Sequence, residues 1–273
     1  MGKFDGILIC TDLDGTIYTR DKTVSRENKE AIEYFKREGG YFTFITGRLP
    51  QYSQNAYELI EPNAPYGCVN GGGVYDGVAK KYVWTLPLDK EIGKLVHFAY
   101  DSFGSIGLQV CTFDNTYFMR DNDANVRFRR ITGVPNIEKH YDEVKEPVAK
   151  IMFATLDENE ILRLDKALKS HELADGFEFV RSERTLYEIL PKGSNKGLAL
   201  HKLVEYLGVD PKKTVAIGDY DNDIGMLKTA GVGIAVANAT QAAKAAADII
   251  TVSNEEHAIA QVIYDIENGK IVI

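Results

Sequence analysis

Three short apolar runs in this chain each end in a polar, glycine-bearing string, and this arrangement limits the available folds more than any other feature. Ile7-Leu8-Ile9-Cys10 leads through Thr11 into Asp12-Leu13-Asp14-Gly15-Thr16. Tyr41 to Ile45 leads into Thr46-Gly47-Arg48, and Val215-Ala216-Ile217 into Gly218-Asp219-Tyr220-Asp221-Asn222-Asp223. Apolar runs of this length, bounded by turn residues, read as buried strands. Between the first two, Ser25 can cap a helix whose Ala31, Ile32 and Phe35 recur at helical spacing and which Gly39-Gly40 ends. Strands separated by helices form a parallel sheet, and right-handed crossovers give them one direction, so the polar strings gather at one edge. That edge is where an open α/β sheet binds its ligands.

The alternation breaks off and then resumes. From Lys196 a helix carries Leu200, Leu203, Val204 and Leu207 on one face and closes at Gly208. The strand Val215 to Ile217, a helix from Ile224 to Ala230, a strand from Gly233 to Val236, a helix from Thr240 and a strand from Ile249 to Val252 follow. The middle is different: a helix with Leu88, Ile92, Leu95 and Ala99 on one face, and strand-like runs at Thr116 to Met119 and Ala149 to Ala154. A second helix is marked by the capping-box pair Asp157 and Glu160, and strands follow at Phe177 to Val180 and Leu186 to Leu190. At 273 residues the chain exceeds the usual size of a single core. The expectation is a doubly wound α/β core formed by residues 1–82 and 188–273, with residues 83–187 inserted as an α+β cap over the site.

Charge and composition narrow the partners. A formal net charge of -8 speaks against broad nucleic-acid binding, so an anionic substrate must be drawn by local positive potential. Cys10, Cys68 and Cys111 are too few and too scattered for a disulfide framework, and the five histidines form no ligand-spaced pair in sequence. With no secretory pattern and no apolar run near about 18 residues, no membrane association is expected and a reducing cytoplasm fits.

The polar strings, with Lys196 between them, suit phosphoryl transfer. Phosphate monoesters resist hydrolysis so strongly that their enzymes supply accelerations up to about 10^21-fold. A carboxylate can attack phosphorus to form an acyl phosphate that water then opens. Asp12 is placed as that nucleophile, and Asp14 as the group that protonates the leaving alkoxide and later deprotonates water. Thr46 and the amide of Gly47 can donate to phosphoryl oxygens, and Lys196 at a helix start can face an anion. Several carboxylates at one sheet edge repel unless a cation neutralises them. An octahedral Mg2+ with oxygen ligands at about 2.0–2.1 Å suits Asp12, Asp219 and the backbone carbonyl of Asp14, with Asp223 or Asn222 completing the shell through water.

These four elements are similar to the signature motifs of the haloacid dehalogenase superfamily of phosphatases. Asn70-Gly71-Gly72, the segment Leu186 to Pro191 leading into Lys196-Gly197, and Asn238-Ala239, Ala247-Asp248 and Ser253-Asn254 resemble its Cof-type branch with a large α+β cap. The resemblance implies a doubly wound core, Mg2+ dependence and a phosphoaspartate intermediate. It assigns Asp12 as nucleophile, Asp14 as acid/base, Thr46 and Lys196 as phosphate ligands, and Asp219 with Asp223 to the metal. Where the family usually has an acidic residue followed by glycine, this chain has Glu255-Glu256-His257-Ala258, which leaves that loop's conformation open.

The expected substrate is a small-molecule phosphate ester such as a sugar phosphate or phosphorylated cofactor. A phosphomutase and a non-catalytic phosphometabolite-binding regulator are the alternatives. Arg48, Asn70, Arg181, Arg184 and Glu188 are polar candidates for the leaving group, and Asn222 joins Thr46, Gly47, Arg48, Asn70 and Lys196 as a substrate-side candidate. Oligomeric state is not legible.

Overall fold

A computed structural model describes residues 2–273, which divide into two compact units. One is formed by the chain up to Thr85 and from Asn195 onward, the other by Leu86–Ser194.

The first unit is built on a five-stranded parallel sheet in the order Ile249–Ile250, Val232–Ala235, Thr214–Gly218, Leu8–Thr11, Tyr41–Phe44. Leu8–Thr11 is fully buried, as the apolar run Leu8-Ile9-Cys10 favours in a strand covered on both faces. Its neighbours come from opposite ends of the chain, with Thr11 level with Ile217 on one side and with Phe44 on the other. From this strand the chain winds outward one way through Tyr41–Phe44, and later the other way through Val232–Ala235. The gap between Leu8–Thr11 and Thr214–Gly218 is therefore the switch point where open α/β sheets form their binding crevice.

Helix Arg26–Arg37, capped by Ser25 accepting from the Asn28 amide at 3.3 Å, packs on the C-terminal helix Ala258–Glu267. Helix Lys196–Leu207 packs on Ile224–Thr229. Tyr66–Cys68, Gly73–Asp76 and Lys81–Thr85 add a three-stranded antiparallel sheet at the end of the first core segment. It is tied to the main sheet by a bridge from Ile45 to Gly67.

The second unit is α+β. Its antiparallel sheet runs Thr116–Arg120, Gly107–Thr112, Val148–Ala154, Leu186–Pro191, Phe177–Glu183. Helices Ile92–Ser102 and Glu158–Lys169 lay Leu95, Val96, Ile161, Leu164 and Leu168 against Val110, Ile151, Phe153, Tyr187 and Ile189. Because Leu186–Pro191 pairs with strands on both sides, it belongs wholly to this unit, and the division falls after Ser194 rather than at 187/188. Asp157 does cap its helix by accepting from the Asn159 amide at 2.9 Å, but Glu160 does not reach back to complete the box. Its carboxylate instead accepts from the Thr155 hydroxyl at 2.9 Å. At the deviant C-terminal loop, His257 takes up a left-handed backbone with φ +62, a conformation in which glycine is least strained. No helix among the described residues is long and apolar enough to cross a membrane.

Candidate active site

Asp12 stands at the end of the central strand, its amide donating to the Ile217 carbonyl at 2.9 Å so that the two central strands are held together where the carboxylates begin. The chain then turns sharply through Gly15 at φ +83. A Cβ on Gly15 would lie 2.5 Å from Asp219 Oδ2, so only glycine lets the Asp12 turn approach Asp219 this closely. The Thr16 hydroxyl donates to Asp219 Oδ1 at 2.7 Å, and Asn238 Nδ2 donates to the Gly15 carbonyl at 2.8 Å.

Lys196 enters from the first turn of its helix, whose N-cap Asn195 accepts from the Leu198 amide at 3.2 Å. Its ammonium is almost fully buried and bonds Asp12 Oδ1 and Asp223 Oδ1, each at 2.5 Å. Burial works against that charge, but Asp12 and Asp223 overcome it and hold the amine above its ordinary pKa. Asp223 turns Oδ2 to the backbone amides of Asp219 and Tyr220, both at 2.9 Å. It thereby fixes the loop that presents Asp219 as well as the amine that faces Asp12.

The remaining candidates are linked to one another at the same end of the sheet. The Ile45 amide donates to the Thr11 carbonyl at 2.9 Å, which brings the strand preceding Thr46 to the same sheet edge as Asp12. The Arg48 amide donates to Thr46 Oγ1 at 3.3 Å. A Cβ on Gly47 would meet the Asn70 amide group at 2.8 Å, and Asn70, itself left-handed at φ +49, accepts from Asn222 Nδ2 at 3.1 Å. Asp14, farther out, accepts from Arg48 Nη2 at 2.6 Å and Lys22 Nζ at 2.5 Å. Burial alone would raise its pKa, yet these two cations lower it.

Asp12, Asp219 and Asp223 each offer an oxygen within 4.8 Å of the others. With all three carboxylates ionised, the cluster supplies one ammonium against them and leaves two negative charges, which one divalent cation would balance. The deficit shows in their protonation. Asp12 is pushed up to about 8, first by burial and then by Asp223 and Asp219 against the pull of Lys196; Asp219 rises to about 6, chiefly by burial. An all-oxygen donor set with uncompensated charge fits a hard cation.

Residues 9–263 match the family model of haloacid dehalogenase-like hydrolases. The chain belongs to that family. A haloacid dehalogenase-like hydrolase of Bacteroides thetaiotaomicron superposes on it with a TM-score of 0.83 at 24% identity, covering 95% of this chain and 99% of the other. A 5-amino-6-(5-phospho-D-ribitylamino)uracil phosphatase of Bacillus subtilis is 30% identical over 93% of this chain and 95% of its own. A pyridoxal phosphate phosphatase of Escherichia coli is 27% identical over 94% and 97%. This haloacid dehalogenase-like hydrolase is thus a phosphoric monoester hydrolase of the superfamily.

Sequence reading missed Lys22, a loop lysine with no pattern to mark it, and Tyr18, whose hydroxyl is buried near the charges of Arg48, Asp14 and Asp12. Arg181, Arg184 and Glu188 lie in the second unit of the haloacid dehalogenase-like chain. There Arg181 pairs with Glu158 and bonds the Arg184 carbonyl at 3.1 Å, and Glu188 is buried 3.1 Å from Lys150.

Proposed function

We propose that the protein is a magnesium-dependent phosphatase that hydrolyses small phosphorylated metabolites through an aspartyl phosphate on Asp12. The observation that carries this reading is Asp12 itself, a buried carboxylate at the switch point with the Lys196 ammonium at 2.5 Å. An Asp12 oxygen attacks phosphorus as the bond to the alkoxide breaks, and Asp14 delivers a proton to the departing oxygen. Asp14 then takes a proton from water as it attacks the acyl phosphate, which releases phosphate and restores Asp12. Lys196, the Thr46 hydroxyl and the Gly47 amide hold the phosphoryl oxygens, and Asn70, Asn222 and Arg48 border them. Lys22 and Arg48 favour the ionised Asp14 that the second step needs. Drawing either cation to the substrate returns Asp14 toward the protonated form the first step needs.

Asp12, Asp219, Asp223 and the Asp14 carbonyl would hold Mg2+, which when bound neutralises charge between the nucleophile and a dianionic phosphoryl group. The relatives' substrates, a phosphoribitylamino-uracil and pyridoxal phosphate, support a small phosphate monoester as substrate. Three free, buried cysteines, Cys10, Cys68 and Cys111, suit a reducing cytoplasm.

Asp12→Asn is expected to abolish Mg2+-dependent phosphate release from an aryl phosphate, losing at least about 10^3-fold in kcat. Comparable turnover by that variant contradicts the mechanism. Release of free phosphate from a sugar phosphate, rather than an isomerised product, separates hydrolysis from mutase action.

A further inference from the structure

Away from the carboxylate centre, the second unit brings His97 up to His140 and Asp142, which lie together on a turn more than forty residues away in sequence. His97, His140 and Asp142 each offer one donor atom, and those atoms lie within 4.8 Å of one another. His97 Nε2 is 3.0 Å from Asp142 Oδ1, and His140 Nδ1 is 3.3 Å from Asp142 Oδ2. Tetrahedral ligands on bonds of about 2.0–2.1 Å stand about 3.3 Å apart, so each nitrogen is already near ligand spacing from the carboxylate oxygen it faces, the two nitrogens facing different oxygens. The two imidazoles stack with centroids 5.7 Å apart and planes at 28°, presenting their nitrogens to the same carboxylate.

We propose that His97, His140 and Asp142 form a binding site for a divalent transition cation of the zinc type. Two imidazole nitrogens and one carboxylate oxygen select such an ion over magnesium, which prefers an all-oxygen shell, and three protein ligands leave a fourth position for water. All three side chains are partly exposed, which gives an ion access.

The frame around the ligands is fixed. His97 lies in the helix Ile92–Ser102. His140 donates its amide to the Glu143 carboxylate at 3.0 Å, and Lys145 Nζ donates to the Asp142 carbonyl at 2.9 Å. Tyr141 stands edge-on to His97 and Tyr100 edge-on to His140, which restricts both rings. The carboxylate now divides its oxygens between the imidazoles, and rotation about its terminal torsion, which is soft, lets one oxygen join both nitrogens on an ion. Coordination displaces any proton held on those nitrogens and on Asp142. It also clips the helix to a turn 45 residues away in sequence, so binding to the folded chain stabilises it.

The test uses the full chain, stripped of metal and then held in excess Mg2+ so that the carboxylate centre is supplied with its preferred ion. Titration with Co2+ is expected to give the visible absorption of a four-coordinate ion, saturating at one equivalent, bleached by Zn2+, and accompanied by a rise in Tm. His97→Gln and His140→Gln should lose both signals, Asp142→Asn should weaken them, and Asp12→Asn should keep them. Each variant's Tm without cobalt establishes that it is folded. Should one histidine variant fail to fold, the other histidine variant and Asp142→Asn decide. The proposal is overturned if no saturable absorption develops, if it persists undiminished in the folded histidine variants, or if Asp12→Asn removes it.

Discussion

Lys22 stands eight residues from Asp14, on a turn where its own backbone is left-handed at φ +56, and its ammonium shares Asp14 with Arg48. In the proposed mechanism Asp14 must be protonated to serve a poor leaving group, and both cations work against protonation. Lys22→Gln is therefore expected to raise the Asp14 pKa, moving the alkaline fall of kcat/KM to higher pH for an alkyl phosphate. An aryl phosphate, whose leaving group needs no proton, should show little change. Coincident profiles for wild type and variant on the alkyl ester would remove Lys22 from this role. Asp12, Thr46 and Asp219 were legible because each follows an apolar run whose burial is obligatory. Lys22 was not, because a long side chain reaching back across a turn obeys no periodicity. His97 and His140 were missed for the related reason that packing of the helix Ile92–Ser102 on the turn Tyr141–Glu143, not spacing, brings them together.

Among the elements of the second unit, the sheet buries an ion pair between neighbouring strands. Lys150 Nζ lies 3.1 Å from Glu188 Oε1, and both side chains are nearly inaccessible. Removing one partner of a buried pair leaves an uncompensated charge and costs about 3–5 kcal/mol, whereas replacing both with apolar groups is often neutral. Lys150→Met should accordingly lower stability to urea by about 3 kcal/mol. Adding Glu188→Leu should recover most of it; a double variant no more stable than the single one would contradict this account. By contrast, Lys169 and Asp165 form a half-exposed pair on a helix, of the kind worth only about 0.3–0.5 kcal/mol. The sequence marks Lys150 and Glu188 each as polar in a strand but not as partners, since their diagonal approach across Leu186–Pro191 and Val148–Ala154 depends on register. The same limit hid the Tyr66–Thr85 sheet: its three strands are short, and glycine and tyrosine in them carry no clear alternation. The main sheet was readable because its central strands are uninterruptedly apolar and alternate with amphipathic helices.

At the scale of the whole molecule, two chain segments separated by an inserted unit meet at the switch point and concentrate more negative than positive charge there. Folding raises the pKa of Asp219 to about 6 and of Asp12 to about 8. A raised carboxyl pKa favours folding while the group is protonated. That contribution is present below the ordinary value of about 4 and is lost as pH rises through these two values. Mg2+ is therefore expected to raise Tm more at pH 8 than at pH 5, by removing a repulsion that exists mainly at the higher pH. An increment equal at both pH values, or absent at pH 8, would mean that the cluster does not take the ion.

The central claim is that Asp12 becomes phosphorylated, and Asp14→Asn exposes it most directly. With an aryl phosphate the first step proceeds without a proton donor, while the second lacks its base. The variant mixed with substrate and Mg2+ and quenched in acid is expected to carry one hydroxylamine-sensitive phosphoryl group on the peptide containing Asp12, after a single burst of phenol. A burst with no phosphorylated peptide, or a phosphoryl group on any other residue, would contradict the account.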